Sequence, residues 1–277
     1  MPLPSSFFFS QSNLQDYVDC PRRFYLKHLL KLAWPSIESE PVQENEHFRL
    51  QGERFHKMIH QLVIGIPVEK ISSMNADIVL TSWWENFLAS QGDLFTHQTS
   101  SLFPEFTLST LHAGYRLLAK YDLLQSSDDG TFVIYDWKTY RNRPRRERLA
   151  AKLQTRLYPF ILSSSPNAAH ENPGNLKLIY WYANFPSQPE IYTYSLTQHG
   201  QDSQYLETLI LSIEKAARED SEDAFPLTMN SERCLFCVYR SLCYRGTRAG
   251  DGTEGEEADF ASSLEDFDFE QISEVEF

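Results

Sequence analysis

The stretch Thr131-Phe132-Val133-Ile134-Tyr135-Asp136-Trp137-Lys138-Thr139 decides how this chain is read. Its β-branched and aromatic residues predict a strand over 131–138. Side chains alternate across a sheet, so Asp136 and Lys138 share one face, about 7 Å apart along the strand. The segment before it, Leu117-Leu118-Ala119-Lys120-Tyr121-Asp122-Leu123-Leu124, lies in a second strand expected over 112–125. Between the two, Ser126-Ser127-Asp128-Asp129-Gly130 is a hairpin turn by composition. The hairpin carries Asp122 toward Asp136 and leaves the register open. Two carboxylates and a lysine therefore converge on an otherwise apolar pair of strands.

That grouping suits phosphodiester hydrolysis, which needs an activated water and neutralised charge on the scissile phosphate. Carboxylate oxygens prefer Mg²⁺ or Mn²⁺. Such a cation lowers the pKa of bound water and polarises phosphoryl oxygens, and a neighbouring lysine orients the water or stabilises developing charge. Asp-x-Lys alone also describes an ordinary half-exposed hairpin, so the reading depends on what stands around it. Upstream, Gly52-Glu53-Arg54-Phe55-His56 lies on a helix expected over 46–64, with His60 one turn later. The zinc-protease pattern requires Glu directly after the first His; Lys57 occupies that position, which excludes it. Downstream, Gln154 and Tyr158 share one face of a helix expected over 145–163. The basic residues Arg141, Arg143, Arg145, Arg146, Arg148, Lys152 and Arg156 lead into and along that helix. They are either a solvated helical face or a track for a phosphate backbone.

Further elements follow from periodicity: a helix from Ser10 or Ser12 to about Leu32 with a break at Pro21, a loop over 35–45, a helix over 75–89, strands over 102–109, 176–183 and 190–195, and a helix over 198–219. The 277-residue chain carries a net charge of −13. Residues 246–277 hold eleven acidic residues and one arginine, which is −10, leaving −3 on the rest. The expected division is a folded unit over 1–245 and an acidic disordered tail over 246–277. No apolar run reaches membrane-spanning length, and the N-terminus lacks a secretory pattern. The expectation is a cytoplasmic protein without membrane partners.

The four cysteines are Cys20, Cys234, Cys237 and Cys243. A reducing compartment disfavours disulfides, and Cys-x2-Cys presents two thiolates to one metal. Zinc and an iron–sulfur cluster both accept four thiolates. Zinc is the commoner answer to the spacing, although zinc sites usually recruit a second close pair, whereas here the fourth thiol lies at the opposite end of the chain.

Taken together, these pieces resemble the RecB/AddB-type branch of the PD-(D/E)XK nucleases, including the CRISPR-associated RecB-like exonucleases. The segments stand in family order: Cys20-Pro21-x-x-Phe24-Tyr25, Gly52-x3-His56, Asp122, Asp136-Trp137-Lys138, Gln154-x3-Tyr158 and Cys234-x2-Cys237-x5-Cys243. The family's glycine three residues before the first core carboxylate is Ala119 here. The resemblance implies an α/β restriction-endonuclease-like fold, with a mixed central sheet flanked by helices and the N- and C-terminal segments joined by the cysteines. It implies a metal-dependent deoxyribonuclease, an exonuclease, serving DNA repair, recombination or CRISPR-type processing. Catalysis falls to Asp122, Asp136 and Lys138, with Mg²⁺ or Mn²⁺ held by His56, Asp122, Asp136 and the Trp137 carbonyl. A 4Fe-4S cluster falls to the four cysteines, and DNA contact to Gln154, Tyr158, Arg145, Arg146 and Arg148. A helicase or another DNA-processing protein is the implied partner; the chain has no phosphate-loop motif of its own. Glu105 opens a strand and receives no catalytic role. Two other readings remain at this point: a DNA-binding scaffold of the same fold that does not cut, and a zinc-stabilised RNA-binding module.

Overall fold

The structure is a computed structural model. It describes residues 2–4, 6–33, 40–73, 77–94, 100–165, 173–219, 221–235 and 237–246. The acidic segment beyond residue 246 lies outside the described residues.

Helix α1 (Gln11–Asp19) begins at Ser10 in a reciprocal capping box. The Ser10 hydroxyl accepts the Asn13 N–H at 3.4 Å, and the Asn13 side chain accepts the Ser10 N–H at 2.9 Å. The expected run to Leu32 is divided. Cys20 is extended (φ −162°, ψ 105°), and α2 (Pro21–Phe24) restarts behind it before a π-helical turn at Tyr25–Leu29. Proline lacks an N–H and so fits the first position of a helix, where none is needed. The joint at Cys20 is a consequence.

Helix α3 (Glu40–Val63) is longer than expected, because residues 40–45 continue the helix rather than forming a loop. Helix α4 spans Val68–Ser73 and α5 Ile78–Leu94. The later start of α5 is set by Asp77, whose Oδ1 accepts the N–H groups of Val79 at 2.9 Å and Leu80 at 3.1 Å.

Among the described residues there are six strands: β1 (Phe8–Ser10), β2 (Ser100–His112), β3 (Tyr115–Ser127), β4 (Phe132–Lys138), β5 (Leu176–Tyr182) and β6 (Glu190–Thr193). They form one mixed sheet in the order β1-β3-β4-β5-β6, with β2 pairing β3. β1/β3 and β4/β5 are parallel; β2/β3, β3/β4 and β5/β6 are antiparallel. The strand expected over 112–125 is β3, which starts at Tyr115 behind a two-residue turn. Ala113 (φ 49°) and Gly114 (φ 81°) both adopt the left-handed region that such hairpins require. The break expected at 110–111, between two strands, thus falls at 113–114.

The helix expected over 145–163 is also two pieces, α6 (Arg146–Ala151) and α7 (Leu153–Ser164), separated by extended Lys152. The Thr155 hydroxyl donates at 2.5 Å to the Leu149 carbonyl, which also accepts the Lys152 N–H at 3.0 Å, tying the start of α7 to the end of α6. Helix α8 spans Leu196–Glu219.

Helices cover both faces of the sheet. On one face α1, α7 and α8 bury Leu14, Leu157, Ile161, Leu206 and Ile210 against Leu117, Tyr121, Ile134 and Leu178. On the other, α3, α4 and α5 bury Phe55, Ile59, Ile71, Trp83 and Phe87 against Leu123, Tyr135, Trp137 and Trp181. Among the described residues no helix is long and apolar enough to cross a membrane.

The sheet is irregular at one point. Leu117, Ala119 and Tyr121 face the α7 side, Leu123 faces the α3 side, and Leu124 faces the α7 side again. The alternation of β3 therefore shifts phase at Asp122. On the paired strand the bridge sequence runs Pro104↔Leu123 and then Phe106↔Tyr121, passing over Glu105 opposite Asp122. Glu105 has φ 53°. Beyond this point β4 leaves β3: the last rung is Leu123↔Tyr135, while β4 continues beside β5 to Lys138↔Tyr182. The parting of the two strands opens a wedge whose walls are Asp122 and the Asp136–Lys138 segment.

Candidate active site

Asp122 bridges the wedge. Its Oδ2 accepts the Trp137 N–H at 2.8 Å, so a side chain takes the place of a missing ladder bond. His56 reaches the same place from α3, with Nδ1 3.3 Å from Asp122 Oδ1 and Nε2 2.9 Å from the Trp137 carbonyl oxygen. Both partners can only accept, so both ring nitrogens carry protons and the ring is an imidazolium. Gly52 lets the helix come this close: a Cβ there would lie 3.2 Å from Thr139 Oγ1, just past the end of β4.

Asp136 and Lys138 form a second group on the α7 side. Lys138 Nζ lies 2.8 Å from Asp136 Oδ1 and donates to Gln154 Oε1 at 3.0 Å. The Gln154 Nε2 group donates to Asp136 Oδ2. The break at Lys152 aims the first turn of α7 at the end of β4, which is how Gln154 arrives there. The Lys138 ammonium also lies 5.7 Å from the Tyr140 ring and 5.5 Å from the Tyr180 ring. The side chains of His56 and Asp122 keep 25% and 20% of their surface open, against 5% and 6% for Asp136 and Lys138. The His56 end is thus the mouth of the site and the Lys138 end its floor.

The electrostatics follow from this packing. Burial would lower the His56 pKa, but the Asp122 charge and hydrogen bond, with Asp136 and Glu105 behind them, raise it to about 9. Burial would raise Asp122, but His56, the Trp137 N–H and Lys138 hold it below the usual carboxylate range. Asp136 is raised to about 6, first by burial, with Lys138 opposing and Asp122 adding to the rise.

The residues at the wedge fit a divalent cation. Asp122, Asp136 and the Trp137 carbonyl are hard oxygen donors beside an imidazole. The carboxylates already hold a positive charge at His56, and the Asp136 carboxylate is buried with the Lys138 ammonium 2.8 Å from its Oδ1. Their side chains do not converge as they stand: no group of three or more His, Cys, Asp or Glu among the described residues is arranged to hold a metal ion. Asp136 is turned toward Lys138 and Gln154, away from His56.

The residues assigned to DNA contact are placed unevenly. Tyr158 is buried, its ring edge-on to Tyr121 at 5.3 Å, and Gln154 holds Asp136 and Lys138. Arg146 is tied to the sheet through the Glu190 carboxylate, the Ile191 carbonyl at 2.8 Å and the Tyr192 ring at 4.6 Å. Arg143 shares Glu190. Arg156 pairs with buried Asp202 at 2.6 Å and lies over the Tyr205 ring. Arg145 is exposed and Arg148 half-buried. Much of the basic stripe is therefore structural, which its sequence could not reveal because the acceptors lie on β6 and α8.

Cys20, Cys234, Cys237 and Cys243 line one cleft of about 330 Å³, open mouth included, together with Arg23, Arg233 and Arg240. All four are free thiols, and burial raises the Cys237 thiol to about 11. The ends of the chain also meet through ordinary bonds. Arg22 Nε donates to the Phe225 carbonyl at 2.8 Å, and the Tyr239 hydroxyl to the Leu32 carbonyl at 2.8 Å.

A comparison with curated protein sequences gives no match. Among solved structures the chain is similar to SSO0001, with 14% identity, a TM-score of 0.40 and 87% of each chain covered. It is also similar to a candidate exonuclease from Eubacterium rectale, with 11% identity, a TM-score of 0.44, and 76% of this chain and 82% of that one covered. The sequence model of the PD-(D/E)XK nuclease superfamily matches residues 8–244, and the chain belongs to that superfamily.

Proposed function

We propose that this protein is a divalent-metal-dependent deoxyribonuclease of the RecB/AddB-like branch, acting as an exonuclease. The observation that carries the reading is the wedge between β3 and β4, where Asp122, His56 and the Trp137 carbonyl meet at the mouth and Asp136 and Lys138 form the floor. His56, once it has given up a ring proton, would join Asp122, Asp136 and the Trp137 carbonyl in holding Mg²⁺ or Mn²⁺, which supplies an acidified water and charge neutralisation at the phosphate. Gln154 and Asp136 fix the Lys138 ammonium, so its charge is aimed before substrate arrives. Hydrolysis places a water oxygen on phosphorus and expels a sugar oxygen that takes up a proton; Lys138 stabilises the charge gathered on the phosphoryl oxygens between those events. Arg145 and Arg148 steer the DNA backbone toward the mouth.

We further assign a 4Fe-4S cluster to Cys20, Cys234, Cys237 and Cys243, supported by their sharing one cleft with three arginines. Residues 1–245 form the nuclease unit in this reading, and its DNA product or substrate is handed over by a helicase or another DNA-processing protein in repair, recombination or CRISPR-type processing. The test is cleavage of end-labelled single- and double-stranded DNA with Mn²⁺, by wild type and Asp136→Asn. Release of mononucleotides or short products by wild type alone is expected. No cleavage by wild type, or equal cleavage by the variant, overturns the reading.

A further inference from the structure

Glu105 stands opposite Asp122 at the phase shift of the β2/β3 pair, between the rungs Pro104↔Leu123 and Phe106↔Tyr121. Its backbone is left-handed, φ 53°. A non-glycine residue in that region costs roughly 1–3 kcal/mol and persists where its surroundings over-determine it. The flanking rungs put Glu105 across from Asp122, and its charge is felt at His56, which sets the side chain beside the mouth of the wedge. The carboxylate is half-buried and faces Lys120 Nζ at 2.5 Å. Its charge reaches His56 along with those of Asp122 and Asp136.

We infer that Glu105 is a positioning residue for the divalent cation of this site: from opposite Asp122 its carboxylate holds the water molecules on the open side of the cation, with Lys120 fixing its direction. The inference rests on the metal-dependent reading above. It accounts for a strained glutamate where glycine would fit the backbone without cost. Mg²⁺ and Mn²⁺ sites keep several waters, and the mouth offers solvent access at His56 and Asp122, so those waters need an acceptor there. The outer partner of a metal site is worth about 10–100-fold in metal affinity.

The experiment is Mn²⁺ binding followed by calorimetry and by the electron paramagnetic resonance signal of free Mn²⁺, on full-length wild type, Glu105→Gln, Glu105→Gly and Asp122→Asn, with thermal melting of each. Glu105→Gln is expected to weaken Mn²⁺ at least tenfold. Glu105→Gly is expected to weaken it as much while raising the melting temperature, because glycine relieves the left-handed backbone. A purely structural glutamate would leave Mn²⁺ affinity unchanged in both variants, and that result overturns the inference. If wild type fails to bind Mn²⁺, or Asp122→Asn binds as wild type does, the metal-dependent reading itself falls. Loss in Asp122→Asn with no change in Glu105→Gln refutes the role of Glu105 alone.

Discussion

Asp122 and Trp137 are joined by a side-chain-to-backbone hydrogen bond, Trp137 N–H to Asp122 Oδ2 at 2.8 Å, at the point where their strands stop pairing. The bond satisfies an amide that the separating sheet would leave bare, and it leaves Asp122 Oδ1 for His56. A single carboxylate thus closes the sheet and begins the site. Structure and chemistry are coupled here, and substitutions at Asp122 will lower stability as well as activity.

Asp136 and Lys138 are cleaner targets. Asp136→Asn and Lys138→Met are each expected to lower kcat by about 10²-fold or more with the fold preserved, because both replacements keep the volume of a buried side chain. Gln154→Ala should lower kcat less than either, since it acts through them, and should leave DNA affinity in place. Single-turnover cleavage and filter binding measure the two quantities; full activity in either Asp136→Asn or Lys138→Met removes the assignment.

Gly52 reports on the approach of α3 to β4. In an ordinary helix interior, Gly→Ala stabilises by about 1 kcal/mol. Here the added Cβ meets Thr139 Oγ1 at 3.2 Å, so Gly52→Val should lower the melting temperature and displace His56. Gly52→Ala combined with Thr139→Ala should melt above Gly52→Ala alone, since the obstructing oxygen is gone. Equal melting of those two proteins would show that the contact does not limit the helix.

Asp16 gives the fold an acid limit. Burial alone would raise its pKa, but the hydrogen bond to His28 and the charges of Arg23 and Lys27 outweigh that and hold it at about 2. A carboxyl whose folded pKa is depressed adds stability above its unfolded value, about 4, and loses that stability as pH falls through the folded value. The contribution is of order 2 kcal/mol and disappears between pH 4 and pH 2. Denaturant melts of wild type and Asp16→Asn across this window check it: the wild type should lose more stability than the variant.

The cysteine assignment predicts equivalence between distant residues. Cys20→Ser and Cys237→Ser should lose iron and sulfide together and melt alike, because each removes one of four ligands shared by segments from opposite ends of the chain. A Cys20→Ser protein with wild-type iron content and melting temperature would exclude Cys20.

The arginines should separate into two kinds. Arg146→Ala breaks contacts to Glu190, Ile191 and Tyr192 and should lower the melting temperature. Arg145→Ala touches no such network; it should leave the melting temperature alone and flatten the salt dependence of DNA binding by roughly one ion. Identical salt slopes for Arg145→Ala and wild type would place the DNA elsewhere.

What the sequence determined alone was local. The alternation around Asp136 and Lys138, the Asp-Asp-Gly turn after β3, the spacing of Phe55, Ile59 and Leu62 on α3 and the order of the motifs fixed a mixed α/β fold of this superfamily, because each is a property of residues a few positions apart. Where local chemistry was quiet the boundaries moved: the turn between β2 and β3 falls at Ala113 without the usual Asn-Gly, residues 40–45 continue a helix, and Lys152 interrupts one. The tertiary structure alone decided which side chains meet. Gln154 holds Asp136 and Lys138, Tyr158 lies in the core, and Arg146 and Arg156 meet carboxylates on β6 and α8. Glu105 gained a place opposite Asp122 through strand register and a left-handed backbone. Partner choice depends on distances between residues far apart in the chain, and those are set by how β3 and β4 diverge, a relation among strands that no single segment of sequence encodes.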